Sequence, residues 1–374
     1  MLVVVHVLGF HASYRCRHAG VCCTSGWAIP VEAPLYRSLQ VALEWGQLHV
    51  DGATHGPDLF ESVEDLPHGE PVVLRRRSSG ACVFFEPQRG NLCAIQRQMD
   101  HSHLPSACRH FPRVVVIDPR GTFVTLSHLC PTAARMLIDG GPAVVVTSGA
   151  VTDTHAVGVW EGLDARDELP PLVRPGVLWD WDGWDLWERS AVALLAREGQ
   201  SPEQALGALR TAVGALTAWR SNDDALTDAV HAAFAAPGIA GEPFDVPLST
   251  LTTLELLVWQ SVPVERRPAS LPSGGTGEVP GWHLWHAAIG RYLAARAFAN
   301  WIGYYGQGLS TWYNSIVAAY AVLRLAASRL AVARGTAIDA SMLVEALGEA
   351  DRLLVHLASA PELAEILDDW EAPR

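Results

Sequence analysis

The sequence has no cysteine after residue 130. Its seven cysteines, Cys16, Cys22, Cys23, Cys82, Cys93, Cys108 and Cys130, all fall in the first third. Other absences narrow the function. There is no Walker loop, no Ser-His-Asp order and no zinc-protease motif, so nothing points to an NTPase or a hydrolase. No glycine-rich strand–turn–helix fingerprint for a nucleotide appears, and Gly140-Gly141 follows a predicted helix, so it reads as a loop. Basic residues are short, 27 against 40 acidic, for a net charge of −13. A nucleic-acid face needs the opposite sign. The run Arg75 to Arg77 lacks interleaved aromatics and reads as a solvated turn before Cys82. An acidic surface instead favours a basic partner, such as a lysine-bearing protein.

Long apolar runs are also missing. No unbroken stretch of about 20 apolar residues suggests a membrane span. The opening MLVVVHVLGF is short, with no basic residue before it and no small-residue cleavage site after it. It reads as a first strand rather than a secretory leader. The expectation is a soluble cytoplasmic protein with neither a membrane nor a nucleic-acid partner.

The clustered cysteines need a cause. A disulfide framework fits poorly, because their number is odd and a chain of 374 residues needs no staples. Core packing explains one or two of them, but not seven in turn-rich polar surroundings. Metal ligation fits best, since thiolates are soft ligands suited to iron–sulfur clusters and zinc. The paired C-x2-C knuckles of a zinc ribbon are absent. So is the C-x3-C-x2-C triad of radical enzymes that use S-adenosylmethionine. One adjacent pair, Cys22-Cys23, is followed by widely spaced single cysteines. Such ligands converge only through folding, and four thiolates complete one cubane cluster. His101, His103 and His110 flank Cys108, and His128 precedes Cys130, so a mixed Cys/His site is also open.

Three blocks carry a resemblance. The first is YRCRHAGVCCTSGWAIPVE. The second is CVFFEPQRGNLCAIQRQMDHSHLPSACRHFPRVVV, with a cysteine before paired aromatics, a Leu-Cys-x-Ile-Gln step and a Cys-Arg-x-Phe-Pro-Arg step. The third is LSHLCPTAARML. In this order, over roughly residues 13 to 138, they resemble the flagellin lysine-N-methylase family and its YkgJ-type cysteine-cluster relatives. The resemblance implies a zinc- or iron-chelating protein, and in the methylase branch an iron–sulfur cluster of the 4Fe-4S kind. It also implies methyl transfer from S-adenosylmethionine to an amine, on a protein lysine or a small molecule. By motif the implied ligands come from Cys22 or Cys23, Cys82, Cys93 and Cys108, with Cys16 and Cys130 as substitutes. A metal-binding or redox module, and a structural zinc protein, are the alternatives without methyl transfer.

The expected fold is α+β and mostly α. A small cysteine-rich metal-binding region with a short β-hairpin, residues 1–140, precedes a mainly helical domain, residues 141–374, that completes the substrate cleft. Leu35, Leu39, Ala42 and Leu43 share one face of a helix over 33–45. Short strands are expected at Val72 to Leu74 and Ala81 to Phe85, and a helix starting at Leu92. Val114 to Asp118 and Thr122 to Leu126 read as a hairpin with turn DPRG. Pro131 opens a helix over 132–138, and Ala143 to Thr147 reads as a strand. Later helices are expected at 184–198, 202–218, 224–235, 248–262, 282–299, 312–334 and 340–358. Ser201-Pro202 is an N-cap and first-turn pair. The tract 266–281 is an exposed loop.

Two further features bear on chemistry. Trp181, Trp184 and Trp187 recur every three residues after Trp179, either as a packed helix face or as an aromatic wall for a cationic substrate. Asp180, Asp182 and Asp185 alternate with them. The segment from Asn300 to Ser315 mixes Trp301, Tyr304, Tyr305, Trp312 and Tyr313 with small residues, as a pocket-lining loop or an interhelical turn would. Tyr304, Tyr305 and Asp182 are the candidate bases for an attacking amine.

Overall fold

The computed structural model describes residues 4–51, 58–62, 72–141, 143–148, 161–220, 225–235, 244, 246–271 and 273–370. It is a mixed α/β protein dominated by helices, with small sheets. The chain divides into two units. One takes residues 15–113 and, beyond them, Glu161; the other takes the described residues of 1–14, 114–150 and 162–374. This differs from the division at residue 140 expected from sequence. The opening strand and the hairpin belong with the helices, because their apolar faces enter the helical core through Leu8, Phe10, Val116 and Phe123.

In the helical unit, five strands form one sheet in the order Leu163–Asp164, Arg113–Asp118, Gly121–Leu126, Val5–Leu8, Val145–Ser148. Val5–Leu8 pairs in parallel with Gly121–Leu126, Val5 opposite Thr122. The DPRG turn forms as expected: the Asp118 carboxylate accepts the Arg120 backbone N–H at 2.8 Å. Helices follow at Trp181–Leu195, Pro202–Ala218, Leu226–Ala235, Leu248–Gln260, His286–Ala297, Leu309–Arg334, Ala340–Asp351 and Ala360–Asp368. Asp224, an expected helix start, lies outside the described residues.

Local chemistry explains the ends. Ser201 and Gln204 cap each other reciprocally ahead of Pro202. The Asp180 and Asp339 carboxylates accept the N–H groups of Gly183 and Met342. Gly335, at φ 63°, stops the longest helix. Gly290 lets two helices meet, since a Cβ there would lie 2.6 Å from the Leu195 carbonyl oxygen.

Leu309–Arg334 contains the helix expected over 312–334. It is long and apolar enough to cross a membrane, with a mean hydropathy of 1.7 over 18 residues. No apolar stretch within it runs unbroken for about 20 residues, because Arg324 and Arg329 interrupt it. The fold buries 72% of that window within the protein. Helices Leu248–Gln260, Ala340–Asp351 and Ala360–Asp368 pack around it. It is therefore a core helix, apolar on nearly every side because it is covered on nearly every side.

The second unit has its own core, which includes Leu39, Phe60, Phe84 and Ile95. Its Ala33–Glu44 helix buries Leu39 and Ala42, as the sequence pattern predicted. Pro30–Val31, Val72–Leu74 and Phe60–Ser62 form a three-stranded antiparallel sheet. Two boundaries shift. The strand expected at 81–85 is Phe85–Glu86, and Leu92–Cys93 pairs with it rather than starting a helix. Once those backbone groups are used in the ladder, the helix can begin only at Ala94.

Candidate metal centre

Six of the seven cysteines belong to the smaller unit, and all of these but the exposed Cys16 gather together. Val21–Thr24 is a single helical turn that carries Cys22 and Cys23. Gly20 ahead of it, at φ 77°, adopts a left-handed conformation. A Cβ at Gly20 would lie 2.9 Å from the Phe85 ring, so the glycine lets the cysteine turn lie against the Phe85 strand. The Cys23 carbonyl accepts the Cys82 N–H at 2.7 Å. Phe85 is paired with Cys93 across its ladder. Cys23, Cys93 and Cys108 pack on the core that contains Cys82.

The thiols feel one another. The sulfurs of Cys22 and Cys23 are 3.8 Å apart. The hydrogen bond between them lowers the Cys22 pKa and raises that of Cys23. Burial raises Cys82, pushes Cys93 up to about 11, and puts Cys108 well above the usual thiol range. Repulsion adds to burial: Cys108 is opposed by Cys82, Cys93 and Cys22, and Cys93 by Cys82 and Cys22. Backbone N–H groups favour the thiolates. The backbone of Ile95 and Gln96 acts this way on Cys93, which precedes the Ala94–Gln98 helix. Phe84 does the same for Cys82.

Arg76 is a cation close to these thiols. Its Nη1 donates to the Cys23 carbonyl at 3.1 Å and to that of Gly80 at 3.4 Å, and its Nη2 donates to the Trp27 carbonyl. Its charge favours the ionised forms of Cys22, Cys82 and Cys108.

Among the described residues, no three Cys, His, Asp or Glu side chains are drawn close enough to hold a single metal ion. The close thiol pair and its three neighbours are a looser set. A polynuclear cluster suits that spread, because each thiolate binds a different iron atom. The donors are chemically right for such a group: soft sulfurs, buried, beside a cation and with N–H groups aimed at them.

The other candidates are placed elsewhere. Cys16 is exposed, and the His18 N–H donates to its sulfur at 3.4 Å. Cys130 is buried in the helical unit, 3.6 Å from the Tyr14 hydroxyl. The histidines have other partners. His103 pairs with Asp100 at 2.9 Å, and His110 binds Ser106 and accepts the Glu161 N–H. His128 belongs to the helical unit, where Asp351 holds it.

The three candidate bases do not form a site. Asp182 is exposed in the first turn of its helix, and Tyr305 is 40% exposed. Tyr304 donates to Asp118 at 2.5 Å, and burial raises its pKa, so it is a poor base. Asp118 also binds Arg120 at 2.7 Å, and Arg120 reaches Glu188 at 3.2 Å. This buried ion cluster explains the tryptophans. The Arg120 guanidinium lies 5.9 Å from the rings of both Trp181 and Trp184, and 4.2 Å from Phe123. The cation facing the aromatic wall is thus the protein's own. Trp184 and Trp187 are fully buried and pack edge-on against Trp312.

No sequence signal assigned a role to Arg76 or Arg120, or placed His128, a candidate only as a neighbour of Cys130, in a buried group with His11, Tyr292 and Asp351. The run before Cys82 was the only signal for Arg76, and it suggested a solvated turn. Comparison with known proteins returns no match among family models, curated proteins or solved structures.

Proposed function

We propose that the smaller unit binds an iron–sulfur cluster through Cys22, Cys82, Cys93 and Cys108, and that the protein transfers a methyl group from S-adenosylmethionine to an amine. The carrying observation is the gathering of five thiols from four chain segments inside one small unit. Cys22 stands here for the adjacent Cys22–Cys23 pair, in which either sulfur can donate to the other. The other sulfur of the pair is then a fifth thiol beside the site. Methyl transfer rests on the resemblance of the three motif blocks to lysine-N-methylases, which extends from the first cysteine turn to the helix after Cys130. The amine belongs to a protein lysine or a small molecule. A bound cluster held by four thiolates would supply an electron-accepting iron centre. The chain's own contribution is to hold the ligands, exclude water and stabilise the thiolates.

Zinc is the second reading, and one distance favours it. Two sulfurs on a tetrahedral zinc ion, with Zn–S about 2.3 Å, stand about 3.8 Å apart, and the Cys22 and Cys23 sulfurs do so here.

Anaerobic purification with iron, sulfide and zinc analysis separates the readings. Iron and sulfide in equal amounts, lost in single Cys→Ser variants at residues 22, 82, 93 and 108 but kept at 16 and 130, support the cluster. A colourless protein containing only zinc refutes it. Calorimetry with S-adenosylmethionine on the iron-loaded protein tests the methyl donor, and absence of both binding and methylated product refutes methyl transfer.

A further inference from the structure

Arg76 stands directly across a β-bridge from Cys82. Its two terminal nitrogens are occupied by carbonyl oxygens of Cys23, Gly80 and Trp27. These bonds tie the Cys22–Cys23 turn to the segment leading to Cys82 and hold the guanidinium in place. The third nitrogen, Nε, is buried and has no hydrogen-bond partner among the described residues. A fixed, buried donor without an acceptor is costly, so such a group calls for explanation. The neighbourhood suggests one, because Arg76 faces Cys82 across the bridge and bonds the carbonyl of Cys23, next to Cys22. Arg77 does not duplicate the role, because its guanidinium donates to the Val83 carbonyl at 2.8 Å.

Four thiolates bring more negative charge than an iron–sulfur core cancels, so the loaded site is anionic inside the protein. Adding an electron makes it more so. A nearby cation stabilises the reduced form more than the oxidised one, and an N–H···S bond acts in the same direction. We propose that Arg76 is a positioning residue of the cluster, donating from Nε to a cluster sulfur and raising its reduction potential by its charge. The inference rests on the iron–sulfur reading and deepens it.

The test uses the full-length protein, purified without oxygen, as wild type, Arg76→Gln and Arg76→Lys. Iron and sulfide content, far-UV circular dichroism and a dithionite titration followed by electron paramagnetic resonance are measured on each. Arg76→Gln should keep its helical signal and shift the oxidised-to-reduced ratio at fixed potential about tenfold toward the oxidised form, equivalent to about 59 mV lower for a one-electron couple. Arg76→Lys keeps the charge but loses the planar donor, and should fall between. If Arg76→Gln loses its iron, Arg76→Lys carries the test, and a midpoint below wild type supports the role. An iron-loaded variant with the wild-type midpoint overturns the Arg76 inference alone. A wild type containing zinc and no iron overturns the iron–sulfur reading and this inference with it.

Discussion

Removing Asp351 tests whether a buried charge holds the sheet end to the helices. Its carboxylate is fully buried and accepts three hydrogen bonds. They come from the His128 N–H at 2.6 Å, His128 Nδ1 at 2.9 Å and the Tyr292 hydroxyl at 3.0 Å. Burial alone would raise its pKa, but the charge and hydrogen bonds of His128, aided by Arg296, hold it at about 2. Asp351→Ala strands three buried donors. Breaking such a pair costs about 3–5 kcal/mol, which agrees with about 1–3 kcal/mol for each unsatisfied donor after partial relaxation. Asp351→Asn keeps one acceptor oxygen and should cost about half as much. Urea unfolding at neutral pH, followed by circular dichroism, measures both. An Asp351→Ala midpoint within about 1 kcal/mol of wild type refutes the reasoning, given an unchanged slope. The pH dependence gives a second check. An ordinary Asp titrates near 3.9, so the native carboxylate contributes stability above that pH, lost as pH falls toward about 2. The loss is roughly 2–3 kcal/mol, and Asp351→Ala should lack it.

Other outcomes follow from the same physics. Burial first, and then the charge of His128, holds the His11 pKa well below its usual 6.5, so the folded state keeps His11 neutral. The unfolded chain binds that proton first, so stability should start to fall below about pH 6.5, a trend that His11→Gln should weaken. Arg120→Met leaves Asp118 and Glu188 as uncompensated buried carboxylates and should cost about 3–5 kcal/mol; a loss below about 1 kcal/mol contradicts the ion-cluster account. Gly20→Ala forces a side chain into a left-handed backbone against the Phe85 ring, and should lower metal content per chain while the helical signal stays near wild type. Burial keeps Cys82, Cys93 and Cys108 protonated at neutral pH, so metal loading must release protons. Chelator competition should show weaker binding as pH falls from 8.5 to 6.5, by up to about tenfold per pH unit for each proton released; a flat profile refutes thiolate ligation.

Much of the helical half was legible because its signals are local. Pro202–Ala218 starts and ends where its capping pair and apolar repeat indicated. The Asp118–Arg120 turn formed because its aspartate bonds two residues ahead. The short helix Ile302–Tyr305 and the final helix Ala360–Asp368 were not foreseen. Their burial depends on partners such as Asp368, whose carboxylate accepts from the Gln307 N–H across 61 residues. The tryptophan row illustrates the same limit. Its spacing identified a helix face, but only the fold supplied Arg120 as the cation opposite it.

Sequence alone determined that the seven cysteines are confined to the first 130 residues, and it raised soft-metal chemistry as the expectation over disulfides. It could not sort them. The tertiary structure separated Cys130 into the helical unit and left Cys16 exposed. It gathered the other five and set Arg76 beside them with one nitrogen unpartnered among the described residues. The reason is geometric. Helix periods and turn chemistry act over a few residues, whereas a site built from the turn at 22–23 and single residues at 82, 93 and 108 exists only after the chain closes loops of about ten to sixty residues.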